Sequence, residues 1–380
     1  MKIQQTTAHD VVALSGQLAE LAQIDPDLVI VFAAPGLMGD PELLPILRAA
    51  FPSAALAGCS TAGEVSMTGV GENGIVVTAV HLEHAHVLLA STDLADMADS
   101  REAGRRVAAP LLTDGLRGVL VFGQGVAING SALVAGMSEV LGEGIPICGG
   151  LAGDNGAFRR TLTLGPAGIS ERAIVAVGLA GKRLRVGHGS FGGWEPFGPA
   201  RRVTRCQGNI LYELDDAPAL DIYKRYLGEY ARDLPASGLL FPFAMLGEDL
   251  SAVGLIRTIL GIDESTGSLT LAGEIVEGGY LKLMHASTEA LVDGAEAAAR
   301  AVADAARSPS PTLALLVSCV GRKLAMGERV DEEVEAVADV LGQGAVRTGF
   351  YSYGEISPFS PGLACKLHNQ TMTITLLAEE

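Results

Sequence analysis

Side chains that usually carry chemistry are sparse in this sequence. Aromatic residues make up 5% of 380, with a single tryptophan. The five cysteines (59, 148, 206, 319 and 365) are odd in number, far apart and never in a C-x-x-C pair. That spacing disfavours a disulfide framework or a structural zinc site and predicts reduced thiols. Positive charge is also scarce: the formal net charge is −17, which argues against a nucleic-acid binder and against an anionic membrane surface. No apolar run reaches the roughly 18 residues of a membrane helix. The opening residues Met1 to Thr6 lack the charged-then-apolar order of an export signal, so a cytoplasmic protein is expected. G-x-x-x-x-G-K-[ST] is missing, and no G-x-G-x-x-G opens a helix after a strand, so nucleotide fingerprints are absent. C-x-x-C-H is missing too, so any haem is held without covalent attachment.

Apolar residues make up 48% and glycine is abundant at 48 residues. This composition predicts a large core in a turn-rich α/β protein. The organising pattern is a repeated turn. Gly349-Phe350-Tyr351-Ser352-Tyr353-Gly354-Glu355-Ile356 has an earlier counterpart in Gly58-Cys59-Ser60-Thr61-Ala62-Gly63-Glu64-Val65. Both read Gly, four residues, Gly, Glu and a β-branched residue. Cys148-Gly149-Gly150-Leu151-Ala152-Gly153-Asp154 is a looser copy, with cysteine where the first glycine would stand. An apolar strand, a helix and a second strand precede each turn. The blocks Leu28–Glu64, Gly118–Asp154 and Thr312–Glu355 are therefore expected to superpose as strand–helix–strand units ending in a Gly-acid turn. The fold class is α/β with mixed sheets, in two associated domains, 1–220 and 221–380.

Between the second and third blocks, Arg160–Leu164, Ala173–Leu179 and Leu184–His188 read as successive antiparallel strands, and Ala217–Tyr230 reads as helical. Leu239–Leu246, Ala252–Ile262 and Leu269–Met284 read as strands around turns. Leu271-Ala272-Gly273-Glu274-Ile275 carries one more Gly-Glu without an upstream helix, and Ser308-Pro309-Ser310-Pro311 reads as a linker.

Strand carboxyl ends gather ligand groups in α/β sheets, so the turns are candidate sites. Tyr351 and Tyr353, on alternate residues, would point their rings to one side of a pocket. Glu355, His368 and Asn369 would border the same cavity, with Ser60, Thr61 and Glu64 opposite. The bland alternative is that each Gly-Glu only ends a strand. His84 and His86 share a strand face and could chelate a metal or simply form a solvated edge. Cys59 and Ser60 partly meet the G-x-S-x-G spacing of a nucleophile elbow, but no histidine is assignable as their base.

The Gly58–Glu64 and Gly349–Glu355 turns, the stretch Gly193-Trp194-Glu195-Pro196-Phe197-Gly198-Pro199, and Leu367-His368-Asn369-Gln370-Thr371 together resemble the FIST proteins (F-box and intracellular signal transduction). These carry an N-terminal FIST domain followed by a FIST C-terminal domain. The resemblance implies a ligand-binding sensor of signal transduction. Some bacterial members bind haem, sense nitric oxide and act on a histidine kinase or a cyclic-di-GMP enzyme. It therefore implies haem b as a cofactor, with His188, near Phe191 and Trp194, as axial ligand and His368 as the alternative. With no kinase, methyl-accepting or cyclase segment fused, such a chain would act on its partner in trans. A small amino-acid-like metabolite bound without haem is the competing sensor reading, and a hydrolase using Cys59 or Ser60 the enzymatic one.

Overall fold

The computed structural model describes residues 1–247, 249–306, 311–358 and 364–380. It contains one supersecondary unit three times. The first unit runs β1 (Lys2–Ala8), α1 (Val11–Ala22), β2 (Leu28–Ala33), α2 (Pro35–Met38), α3 (Leu43–Ala50), β3 (Ala55–Ser60), a hairpin of β4 (Glu64–Ser66) and β5 (Gly69–Gly71), and β6 (Ile75–His81). The second repeats it as β7 (His86–Asp93), α4 (Ser100–Ala108), β8 (Leu116–Gly123), α5 (Gly130–Leu141), β9 (Ile147–Leu151), the hairpin β10 (Thr163–Gly165) and β11 (Gly168–Ser170), and β12 (Ala173–Ala180).

The third unit opens with β13 (Leu184–Phe191) and is then interrupted. The insertion comprises β14 (Glu195–Pro196), β15 (Arg201–Gln207), β16 (Ile210–Leu214), β17 (Ala217–Pro218), α6 (Ala219–Leu227), β18 (Phe243–Leu246), β19 (Ala252–Arg257), β20 (Ile259–Asp263), β21 (Ser268–Leu271) and β22 (Tyr280–His285). The unit resumes with α7 (Thr288–Ala306), β23 (Thr312–Cys319), α8 (Val320–Met326), α9 (Asp331–Leu341), β24 (Ala345–Ser352), the hairpin β25 (Gly354–Pro358) and β26 (Cys365–His368), and β27 (Met372–Glu379).

Each unit builds one six-stranded sheet, and each sheet ends in a hairpin lent by another unit. The orders are β1-β6-β2-β3-β10-β11, β7-β12-β8-β9-β25-β26 and β13-β27-β23-β24-β4-β5. The first unit's hairpin thus joins the third sheet, the third unit's joins the second, and the second unit's joins the first. The exchange is cyclic. The central pairs β2–β3, β8–β9 and β23–β24 are parallel, as their helical crossovers require.

Pleating explains why these strands read as continuous apolar runs. Ile30 and Phe32, Leu120 and Phe122, and Leu315 and Val317 share one interior core, while Val29 and Val31, Val119 and Val121, and Ala314 and Leu316 pack with helices. The sheets therefore turn one face to a common centre and the other to helices. At that centre the rings of Phe32, Phe122 and Phe350 meet, with centroids 4.7 to 6.2 Å apart.

Three predicted features differ from this arrangement. The cysteine of the looser turn is not the equivalent of Gly58: the parallel registers pair Val31 with Gly58, Val121 with Gly149 and Leu316 with Gly349. A Cβ at any of these three glycines would overlap the carbonyl oxygen of its partner, which is why glycine stands there. The strands after Arg160 do not pair in succession: β12 lies between β7 and β8, whereas β13 pairs with β27. The run from Leu239 to Leu246 is a strand only over Phe243–Leu246, because a 3-10 turn occupies Ala236–Leu240. Of the Ser-Pro linker expected at 308–311, residues 308–310 lie outside the described residues.

Candidate functional site

The three Gly-acid turns meet where the sheets converge. The backbone N–H of Gly153 donates to Ser60 O at 2.9 Å, that of Ala62 to Tyr351 O at 2.9 Å, and that of Tyr353 to Leu151 O at 3.1 Å. By register, Ser60, Leu151 and Tyr351 are equivalent, so the hydrogen bonds form a ring with one contribution per unit. Sequence comparison found the repeats but not the ring, which only the closed arrangement creates.

In the first turn, Thr61 Oγ1 donates to Glu64, whose other oxygen accepts the N–H of Gly74 at 3.0 Å. Burial raises the pKa of Glu64, and Lys323 acts against the shift through space. Ser60 Oγ donates to Gly153 O and accepts from Leu162 N–H, so both of its roles are occupied by backbone. Cys59 is wholly buried, and burial pushes its thiol well above the ordinary range. In the third turn, Ser352 stands in the place of Thr61 and donates to Glu355 at 2.7 Å; Thr371 supplies an N–H and a hydroxyl at 3.1 and 2.9 Å. Complete burial pushes Glu355 up to about 7.

Tyr351 and Tyr353 are both buried, each on its own carboxylate. Tyr351 donates to Glu333 at 2.5 Å, within a sealed group that includes Ser318 and the Arg322–Glu333 ion pair at 2.7 Å. Tyr353 donates to Asp154, accepts the N–H groups of Asp154 and Gly156, and stacks on Phe158 with centroids 4.0 Å apart. Sequence reading missed Glu333, Arg322 and Asp154's link to Tyr353, because their partners come from distant segments.

The two histidines part company. His368 lines a cavity of about 420 Å³ with Phe191, Trp194, Ile256 and Met284, where the third sheet meets the insertion. His188 instead lines a separate cleft with Arg117, Glu143 and Arg185. The aromatic neighbours expected for His188 thus belong to His368. Burial lowers His368 to about 4, and its Nε2 lies 3.1 Å from the Ser357 carbonyl oxygen, to which the neutral ring donates. Asn369 is buried beside it, and its Oδ1 meets no donor among the described residues. Haem needs a Lewis base in an apolar slot. The residues do not fit it: the cavity with the apolar wall engages the histidine's Nε2 with Ser357, and the other histidine sits among charged side chains. No group of three or more potential metal ligands occurs among the described residues.

A larger cavity, of about 600 Å³, opens where the second turn meets the insertion and α8. Phe158, Tyr230, Leu239, Leu240, Leu260 and Leu324 form its apolar wall, and Asn155, Asp233 and Ser237 add polar groups. The exposure of Tyr230 (54%), Leu260 (43%) and Leu324 (50%) gathers three of the chain's solvent-facing large apolar residues in one place.

The family of the chain is decided by two matches in tandem: the FIST N domain over residues 27–217 and the FIST C domain over residues 219–358. The chain belongs to the FIST family. FIST domains are sensor domains of signal transduction, and their matches cover most of this FIST protein. An uncharacterised protein of Methanocaldococcus jannaschii is 26% identical over 265 residues, 62% of this chain and 49% of that protein. The alignment thus spans about half the length of that curated relative. A cyanuric acid hydrolase from A. caulinodans aligns over 100% of both chains with 13% identity and a TM-score of 0.37, too low to carry an argument. Among the described residues of the FIST protein, no helix is long and apolar enough to cross a membrane.

Proposed function

We propose that this FIST protein is a cytoplasmic sensor that binds a small metabolite without turnover and acts on a signalling partner in trans, a histidine kinase or a cyclic-di-GMP enzyme. The observation that carries this reading is the 600 Å³ cavity and its connection inward. Ligand sites are concave and mostly apolar with a few polar groups, as this one is. The Phe158 and Tyr230 rings suit a flat apolar body, and the Asp233 carboxylate suits a cationic end, which fits an amino-acid-like or aromatic-amine ligand. Phe158 also stacks on Tyr353, whose backbone N–H belongs to the central ring. A ligand that moves Phe158 therefore acts on the junction of all three units, and a partner that prefers one arrangement would read the change.

The test is a thermal-shift and calorimetric comparison of tryptamine, phenylethylamine and haem on the full chain and on Leu324→Asp. The metabolite reading expects an amine to raise the melting midpoint and the variant to lose that response. A Soret band on haem addition, with no response to amines, would replace the metabolite by haem b and its nitric-oxide chemistry. No response to any of the three would defeat the cavity as a site for these ligands.

A further inference from the structure

The fourth Gly-Glu of the sequence, Gly273-Glu274, has no share in the central ring. It frames an arginine instead. Arg257, at the end of β19, is 5% exposed. Its Nε donates to the Glu274 carbonyl at 2.9 Å and its Nη1 to the Ile256 carbonyl at 3.1 Å, and it forms no ion pair among the described residues. A Cβ on Gly273 would lie 2.8 Å from Nε and 3.0 Å from Cζ, so glycine is what lets the guanidinium lie flat across this turn. The side chain of Glu274 is exposed, and its Oε1 accepts from Asn129 at 3.3 Å. It acts on Arg257 only through space.

Buried charges in proteins are normally paired, because removing an uncompensated charge from water is strongly unfavourable. Of the other two buried arginines among the described residues, Arg322 obeys this rule through Glu333, while Arg347 is held by the backbone carbonyls of Ala345 and Met67. Arg257 departs from it, and it lines a cleft of about 410 Å³ between α5 and the insertion. Ser131 and Ser138 line the α5 side, Met245 and Leu255 add an apolar wall, Lys366 and Arg101 bring further cations, and the Glu274 carboxylate, held by Asn129, borders the same cleft. A planar guanidinium with N–H groups left over matches the two oxygens of a carboxylate or phosphate.

We propose that this cleft binds a small oxyanion, a carboxylate or phosphate group, on Arg257, with Lys366 as its second cation and the ligand's apolar part against Met245 and Leu255.

The test measures binding of succinate and of inorganic phosphate to the full chain by calorimetry and by Trp194 fluorescence, with sodium chloride at matched ionic strength as control. Saturable binding of either anion beyond the chloride control is expected; whichever binds identifies the group recognised. Arg257→Gln should weaken it about tenfold or more and Lys366→Gln about two- to fivefold, in line with charge-assisted hydrogen bonds. Gly273→Ala, which pushes the guanidinium aside, should weaken it as well. If Arg257→Gln fails to fold, Lys366→Gln and Gly273→Ala carry the test. The proposal falls if neither anion binds beyond chloride, or if folded variants keep the parent's affinity.

Discussion

Glu64 and Glu355 occupy the same position of the same turn and live in different surroundings. Glu64 faces the Gly74 N–H, while Glu355 is sealed among Ser352, Thr371 and the buried Cys319; each has one cation acting through space, Lys323 on Glu64 and Arg322 on Glu355. Both acids are shifted upward by burial, and only for Glu355 does the shift reach about 7. The backbone of the two turns is shared because the glycine contact and the ring hydrogen bond demand it. The chemistry is not shared, because it depends on what each unit packs against. A repeated motif therefore fixes a conformation more tightly than it fixes a role.

The largest expected effect tests the shared part. Gly58→Ala, Gly149→Ala and Gly349→Ala each drive a methyl into a partner carbonyl, and Gly58 and Gly149 also have positive φ. Each should cost at least ~3 kcal/mol from overpacking and backbone strain. Denaturant melts would show this, and a tolerated alanine in one copy would break the equivalence of the three turns.

A second measurement sharpens the difference between the acids. The folded-state pKa of Glu355 lies above its unfolded value of about 4.3, so the native state holds the proton longer and stability falls as pH rises from about 4.5 to about 7. Relative to Glu355→Gln, the parent should lose roughly 3 kcal/mol across that window. His368 works the other way: its folded pKa is depressed to about 4, so its contribution is lost as pH falls from about 6.5 to about 4. The two partly cancel in the parent, and His368→Gln should expose the Glu355 slope. Glu64→Gln should show the same sign with a smaller amplitude. Equal amplitudes for the two acids would erase the contrast.

The smallest expected effect separates the tyrosines of the third turn. Tyr351→Phe and Tyr353→Phe each remove a hydroxyl donor from a buried carboxylate and should cost roughly 1–3 kcal/mol. Only Tyr353→Phe should also change ligand affinity at the Phe158 cavity, since only Tyr353 stacks there. Equal binding changes in both variants would disconnect that cavity from the central ring.

What the sequence determined by itself was local. Continuous apolar runs such as Leu28–Ala33 marked strands buried on both faces, and repeated glycines marked the turns that follow them; the recurring order revealed the three α/β blocks. These signals are carried by neighbours in the chain, where periodicity and turn chemistry act. Only the tertiary structure decided the rest. Hairpin exchange puts the β-branched end of one unit's turn into another unit's sheet, so Val65 pairs with Gly349, a partner so far along the chain that no local pattern encodes it. The same closure gives Tyr353 to Asp154, seals Arg322 against Glu333 and moves Trp194 and Phe191 from His188 to His368. Arg257 could not be singled out from sequence either, because its burial and its lack of a carboxylate arise only when the insertion packs against the second sheet's lent hairpin and α5. Burial and pairing are properties of neighbours in space, and they set the pKa, the cavity and the partner of every residue at the site.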